Sequence, residues 1–183
     1  MPEVRIIGGQ WKRTKLPVRD KPGLRPTPDR VRETLFNWLG QELTGKRCID
    51  AFAGTGALGF EAASRGAAHV LMVEQDSQLV DLLRATQSKL KAGAVEVRRA
   101  NGLSVLASAS ARSIDVVFLD PPFDANLWDA ALRPSSAALA DSGFIYLEAP
   151  VEWTDERLAP FGLARHRHLK AGAVHAHLVA RAA

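Results

Sequence analysis

Between Lys46 and Ser64 the chain reads K-R-C-I-D-A-F, then A-G-T-G-A-L-G, then F-E-A-A-S. An apolar run of strand length breaks at a glycine turn and resumes as an apolar helix, the pattern of a βα unit buried on both faces of its strand. Gly54, Gly56 and Gly59 fit G-x-G-x-x-G in the strand-turn-helix setting which that spacing requires. Glycines let the backbone approach a ligand closely, and the opening helix offers N–H groups. The next strand, His69 to Val73, ends at Glu74, twenty residues after Gly54. An acid at that place takes both ribose hydroxyls of an adenosine moiety. The two features predict an open α/β sheet with an adenosine-containing cofactor and leave its identity open.

A second strand end carries chemistry. Ile114 to Phe123 reads I-D-V-V-F-L-D-P-P-F, a buried parallel strand running into an acid, two prolines and a ring. Pro121-Pro122 cannot continue the ladder, so the backbone turns and leaves carbonyls free to accept hydrogen bonds. With Asp120 as acceptor and Phe123 as a flat face, this edge suits a planar heterocycle bearing an exocyclic amine. Asp120 as a helix cap and Phe123 as core is the competing reading.

The rest of the chain continues the alternation. We expect helices at 27–39, 78–91, 103–109 and 127–139, the last open to interruption at Pro134, with Thr27 as the N-cap of the first. Strands are expected at 95–98 and 143–148, and a closing hairpin over 162–180 turning at Ala171-Gly172. Asn101, after the 95–98 strand, is a candidate for an adenine edge or a plain turn residue. Glu148 is either a carboxylate behind the target base or a solvated strand end. His166, His168, His175 and His177 invite a metal, but no carboxylate or thiolate accompanies them at ligand spacing, so no metal is expected. The single Cys48 reads as a buried thiol.

Charge is unevenly spread. The net charge is +4, yet residues 1–32 carry +6, the middle −6, and residues 161–183 four cations without an acid. Basic ends suit a polyanionic partner better than a small neutral substrate. Two short strands, 4–10 and 15–18, flank a turn with Trp11, Lys12 and Arg13; with Arg5 and Lys15 they form a cationic arm with an exposed aromatic, fit for RNA. No apolar run approaches a membrane span and no signal-peptide core opens the chain, so a cytoplasmic protein is expected.

A nicotinamide dehydrogenase would need a hydride-transfer constellation that does not follow. S-adenosylmethionine fits better, with adenosine at Glu74 and Asn101, the methionine end at the glycine turn and the methyl facing Asp120. The runs R-I-I-G-G-Q-W, R-P-T-P-D-R-V-R-E-T-L-F-N-W-L, I-D-A-F-A-G-T-G-A-L-G-F-E-A-A-S-R-G-A, D-P-P-F and A-G-A-V-H-A-H-L closely resemble the RsmD family of bacterial 16S ribosomal RNA guanine-N2 methyltransferases. The resemblance implies a class I methyltransferase, a Rossmann-like seven-stranded sheet with its last strand antiparallel, and an N-terminal β-hairpin for RNA. Residues 1–26 would form the hairpin and connector, and 27–183 the methyltransferase domain. It implies cofactor contacts from Thr27, Asp50, Phe52, Ala53, Gly54, Gly56, Glu74, Gln75, Asn101 and Asp120, and target-base contacts from Asp120, Pro121, Pro122 and Phe123. The implied substrate is the N2 amine of one guanine, guanine 966, of 16S RNA within the small subunit, and the enzyme a monomer. A DNA adenine-N6 methyltransferase and an idle RNA-binding assembly protein are the alternatives.

Overall fold

The computed structural model describes residues 4–183, so Met1, Pro2 and Glu3 of the expected arm lie outside the described residues. A hairpin of β1 (Val4–Arg5) and β2 (Lys15–Leu16) precedes α1 (Asp29–Trp38). The alternating body follows: β3 (Arg47–Asp50), α2 (Ala57–Ser64), β4 (His69–Glu74), α3 (Ser77–Leu90), β5 (Val95–Arg99), α4 (Gly102–Ser108), β6 (Ile114–Leu119), α5 (Trp128–Ala138) and β7 (Leu139–Ala149). A short α6 (Asp155–Leu158) leads into β8 (Leu163–Ala171) and β9 (Val174–Arg181). The seven-stranded sheet has the order β5-β4-β3-β6-β7-β9-β8, with β3 to β7 mutually parallel and β9 antiparallel to β7 and β8. The order reverses at β3, whose neighbours β4 and β6 lie on opposite sides, and a crevice opens there at the carboxyl ends.

The expected elements are present with moved ends. Asp76 caps α3, its side chain accepting from Gln78 N and Leu79 N, and Lys91 closes that helix in the left-handed conformation. Pro134 sits inside α5 without interrupting it. β7 starts at Leu139 rather than near Gly143, so α5 passes directly into the strand. α1 begins at Asp29 with Pro28 in the cap position, and Thr27 makes no cap bond. Its hydroxyl is turned toward the sheet.

The core has two layers, one on each face of the sheet. Phe36 of α1 and Phe118 of β6 are fully buried with ring centroids 6.1 Å apart; each such side chain contributes about 1.5–3 kcal/mol by leaving water. Cys48 is buried in the same layer, and burial first, then the Asp115 and Asp50 charges, pushes its thiol up to about 12, which makes it inert.

α2 is buried along its whole length, Glu61 and Ser64 included. One face lies on the sheet, and the N-terminal segment covers the other. Ile7 N and Gly8 N donate to the two Glu61 oxygens, both at 2.9 Å. Gln10 N donates to Ser64 O, and Ser64 Oγ accepts from Trp11 N and donates to Gly8 O. A Cβ at Gly9 would lie 1.9 Å from Ser64 O, so only glycine permits this approach. The R-I-I-G-G-Q-W run is therefore the docking edge of the arm. At its turn Lys12 and Arg13 are exposed, whereas Trp11 is half-buried and packs on the core instead of standing free as expected.

Candidate active site

The carboxyl ends of β3, β4 and β6 open into a cleft of about 370 Å³. The glycine turn forms its floor: Gly54 and Gly56 have φ of +54° and +83°, and a Cβ at Gly56 would strike Phe60 and Leu83. Gly59 lets α2 lie against Met72 of β4, where a Cβ would come within 2.9 Å. Glu74, at the end of β4, accepts from Gly54 N at 3.0 Å and Asp76 N at 2.9 Å. One oxygen takes each N–H, so the carboxylate is aimed and keeps acceptor capacity on both oxygens. That pair of acceptors fits the two hydroxyls of a ribose diol. Phe52, Ala53, Gln75, Ala100, Gly102 and Leu24 complete the wall. Gly102 belongs to the machinery: a Cβ there would sit 2.2 Å from Ala51 O, so a side chain would force the floor apart.

At the other end of the cleft two carboxylates meet. Leu119 of β6 pairs with Leu147 of β7, so Asp120 and Glu148 come out side by side on the face that carries Phe118 and Tyr146. Glu148 is fully buried, and Asp120 reaches the cleft with Pro121 and Pro122. Thr27 Oγ1 bridges them, donating to Glu148 Oε2 at 2.8 Å and lying 3.4 Å from Asp120 Oδ2. Burial first, then the Glu148 charge and hydrogen bonding with it, raises the Asp120 carboxyl well above the usual carboxylate range, against the opposing pull of Arg25. The same burial and the two acids push the Tyr146 hydroxyl well up. Phe123 stands in a single 3-10 turn with its ring tilted on Trp128, centroids 5.8 Å apart. Trp128 Nε1 donates to Glu148 O and anchors that turn to β7.

Of the residues expected at the cofactor, Thr27, Phe52, Ala53, Gly54, Glu74, Gln75 and Asp120 line the cleft. Gly56 shapes it from beneath. Asn101, expected at the adenine edge, does not line the cleft: it is exposed and caps α4, its Oδ1 accepting from Leu103 N and Ser104 N, between Ala100 and Gly102, which do line the wall. Asp50 does not line the cleft: it is buried under the turn, where Oδ2 accepts Gly59 N at 3.0 Å. Glu148 is the buried carboxylate behind the cleft rather than a solvated strand end, whereas Arg25 and Gly102 carry no binding role in the sequence reading, and the R-P-T-P run is the signal for the first of them. In the tail, His168 Nε2 and His175 Nδ1 are 2.8 Å apart, while His177 accepts Trp153 N and faces Leu147 O. A carboxylate does accompany them, contrary to the spacing: Glu152 lies 3.6 Å from His168 Nδ1. It comes from the loop after β7, which the topology folds onto the hairpin.

Burial pushes the Asp50 carboxyl up to about 7, the Gly59 hydrogen bond opposing and the Glu74 charge reinforcing it. A carboxyl whose pKa rises on folding holds its proton more tightly in the folded chain. Its contribution is fully present below about pH 4 and is lost as the pH climbs through about 7. Asp50→Asn keeps an oxygen for Gly59 N and removes the ionisation. Urea unfolding should therefore show the variant gaining on the order of 1–3 kcal/mol over the parent between about pH 5 and 8, with no gain near pH 4. A difference constant across that range would mean that Asp50 does not titrate there.

A parallel sheet with one antiparallel strand beside its last crossover, a glycine turn, an acid at the second strand end and a carboxylate-proline edge at the fourth define the class I methyltransferase fold. The chain belongs to the family described as Conserved hypothetical protein 95, which matches residues 4–180. Its resemblance to RsmD proteins holds over most of the chain. The Escherichia coli (strain K12) protein named Ribosomal RNA small subunit methyltransferase D is 44% identical over 174 residues, spanning 94% of this chain and 87% of that relative. The protein of the same name from Haemophilus influenzae is 40% identical over 178 residues, spanning 90% and 92%. Among solved structures, an Escherichia coli chain provisionally named the methyltransferase yhhF superposes with a TM-score of 0.84 at 43% identity, covering 98% of both chains. Among the described residues no helix is long and apolar enough to cross a membrane.

Proposed function

We propose that this protein transfers a methyl group from S-adenosylmethionine to the exocyclic N2 amine of one guanine, guanine 966, of 16S ribosomal RNA in the small ribosomal subunit. The observation that carries the reading is the Asp120-Pro121-Pro122-Phe123 edge, with a raised carboxyl and a ring at the mouth of a cleft whose far end holds Glu74. The relatives' names supply the ribosomal substrate. The enzyme acts as a cytoplasmic monomer, with residues 1–26 as RNA arm and connector and 27–183 as the methyltransferase domain.

The cofactor supplies an electrophilic methyl group; the protein supplies placement. Glu74 takes the ribose hydroxyls, Asn101 and Gln75 the adenine side, and Gly54 with Phe52 and Ala53 the backbone surface along the glycine turn. A guanine amine is a weak nucleophile because its lone pair is delocalised into the ring. Asp120 and the Pro121 carbonyl would accept its two N–H bonds, turning the lone pair toward the methyl and stabilising positive charge as it grows on nitrogen; as the nitrogen–carbon bond forms the methyl would part from sulfur, and the amine would then give up its surplus proton to water. Phe123 takes the face of the base once it has left its RNA stack. The raised carboxyl fits this work, since a developing cation is what makes ionised Asp120 favourable in so dry a place.

The reading is tested by offering labelled S-adenosylmethionine with small subunits that lack their own methylation, alongside naked 16S RNA and DNA. Label should enter ribosomal RNA; label in DNA would give the protein to the adenine-N6 class. The arm has its own test. Changing Trp11, Lys12 and Arg13 together to Ala should weaken RNA binding and reduce its salt slope by about two, one for each cation lost, with cofactor affinity intact. A salt slope equal to the parent's would remove the arm from RNA binding.

A further inference from the structure

Arg25 belongs to the connector between the hairpin and α1, and its guanidinium carbon lies 3.6 Å from the centroid of the Phe123 ring. From that position Nη2 comes within 3.5 Å of Asp120 Oδ1, and Nη1 within 3.7 Å of Glu148 Oε1. Both oxygens are buried, and neither has a hydrogen-bond partner among the described residues. The opposite oxygens, Asp120 Oδ2 and Glu148 Oε2, face the Thr27 hydroxyl. Thr27 thus holds the two acids so that one acceptor of each points to the same spot, above the ring and at the head of the cleft.

What sits at that spot is a flat group with N–H donors on adjacent nitrogens. Guanine carries the same unit within its ring, as N1–H, C2 and the N2 amine, together with a π face to stack. Adenine presents at the matching edge an acceptor nitrogen and a C–H, and a carboxylate opposite that acceptor would be left unpaired. Two carboxylate oxygens side by side therefore select for two donors side by side. We infer that Glu148 is the specificity-determining residue for the target base, accepting guanine N1–H through Oε1 while Asp120 accepts from the N2 amine, and that the Arg25 guanidinium stands in this subsite until the base displaces it. The inference rests on the guanine-N2 reading and names the residue that enforces it.

The test uses small subunits reconstituted with 16S RNA carrying either guanine or 2-aminopurine at the methylated position; 2-aminopurine keeps the amine but has an acceptor at N1. The parent enzyme should prefer guanine by roughly 100-fold in kcat/KM. Glu148→Gln should bring that preference to within a few-fold of one, since an amide can accept from N1–H or donate to N1. A purely structural role for Glu148 would lower both rates and leave their ratio unchanged. Melting temperature and S-adenosylmethionine affinity are measured for the same variant. If it does not fold, Thr27→Val, which frees the Glu148 carboxylate from its tether, should erode the preference several-fold. A variant that folds and keeps the full preference overturns the role of Glu148 while leaving the methyltransferase reading intact, as does a parent that methylates both RNAs equally. A parent that methylates neither overturns the guanine reading itself.

Discussion

Asp120→Ala is expected to lower kcat by about 10²- to 10³-fold, the loss typical of removing one preorganised charge-stabilising group, and to leave S-adenosylmethionine affinity within a few-fold of the parent. The asymmetry follows from where the residue stands. Glu74 and the glycine turn lie at the other end of the cleft and keep their own bonds without it. Asp120→Asn retains an oxygen toward the amine but loses the charge, so it should fall between the two, nearer the parent in KM than in kcat. Single-turnover kinetics with saturating cofactor separates these cases. Near-normal turnover in Asp120→Ala would remove the residue from the reacting centre.

Glu61→Ala should be the most damaging change away from the cleft, lowering stability by about 3–5 kcal/mol in urea unfolding, as expected when one partner of a buried ion cluster is removed. Glu61 has no exposure, and it accepts from Arg32 Nη1 at 3.1 Å and from Arg65 Nε at 2.9 Å, besides the two backbone N–H groups of the arm. Its loss would leave Arg32, itself without exposure, facing Asp29 alone. Burial already lowers the Arg32 pKa against the pull of both acids, a sign of how dry the place is. Arg32 also donates to Thr27 O and Arg5 O, so it ties the arm to the residue that spaces Asp120 and Glu148. We therefore expect Glu61→Ala to loosen the arm and weaken RNA binding before global unfolding, visible as faster proteolysis within residues 4–16. Glu61→Gln, which keeps hydrogen-bond acceptance without charge, should lose less. An Ala variant within about 1 kcal/mol of the parent would mean that the cluster is not the anchor described here.

Much of this could be read from the chain before its fold was in view. β3 and β6 are short apolar runs ending in turn residues, and such runs occupy the middle of a parallel sheet almost regardless of context. Gly56 and Gly59 are needed where they stand for reasons of backbone and packing that the G-x-G-x-x-G spacing already encodes. Glu74 lies one strand away at a fixed distance in sequence, and it takes its expected place. What could not be read depends on contacts between distant segments. Whether Glu148 joins Asp120 is decided by the β6–β7 register, since a slip of one residue would turn it to the other face. Arg25 sits in a proline-rich connector that reads as a spacer, and its position over Phe123 exists only once α1 has packed on the sheet. Thr27 fits the sequence pattern of a helix cap, but the buried acids compete for its hydroxyl and win. The family resemblance implies a cofactor contact for Asp50, which the cleft does not include among its lining residues. Strand alternation turns it under α2, where one N–H from Gly59 is what meets it.

The most direct test of the account is to methylate unmodified small subunits with this protein, digest the 16S RNA to nucleosides and identify the product, then locate it in the sequence. N2-methylguanosine is expected at a single position, formed about 10²- to 10³-fold more slowly when Asp120 is replaced by Ala. N6-methyladenosine, or a methyl group on guanine at N1 or N7, would contradict the assignment of the Asp120 edge to an exocyclic guanine amine.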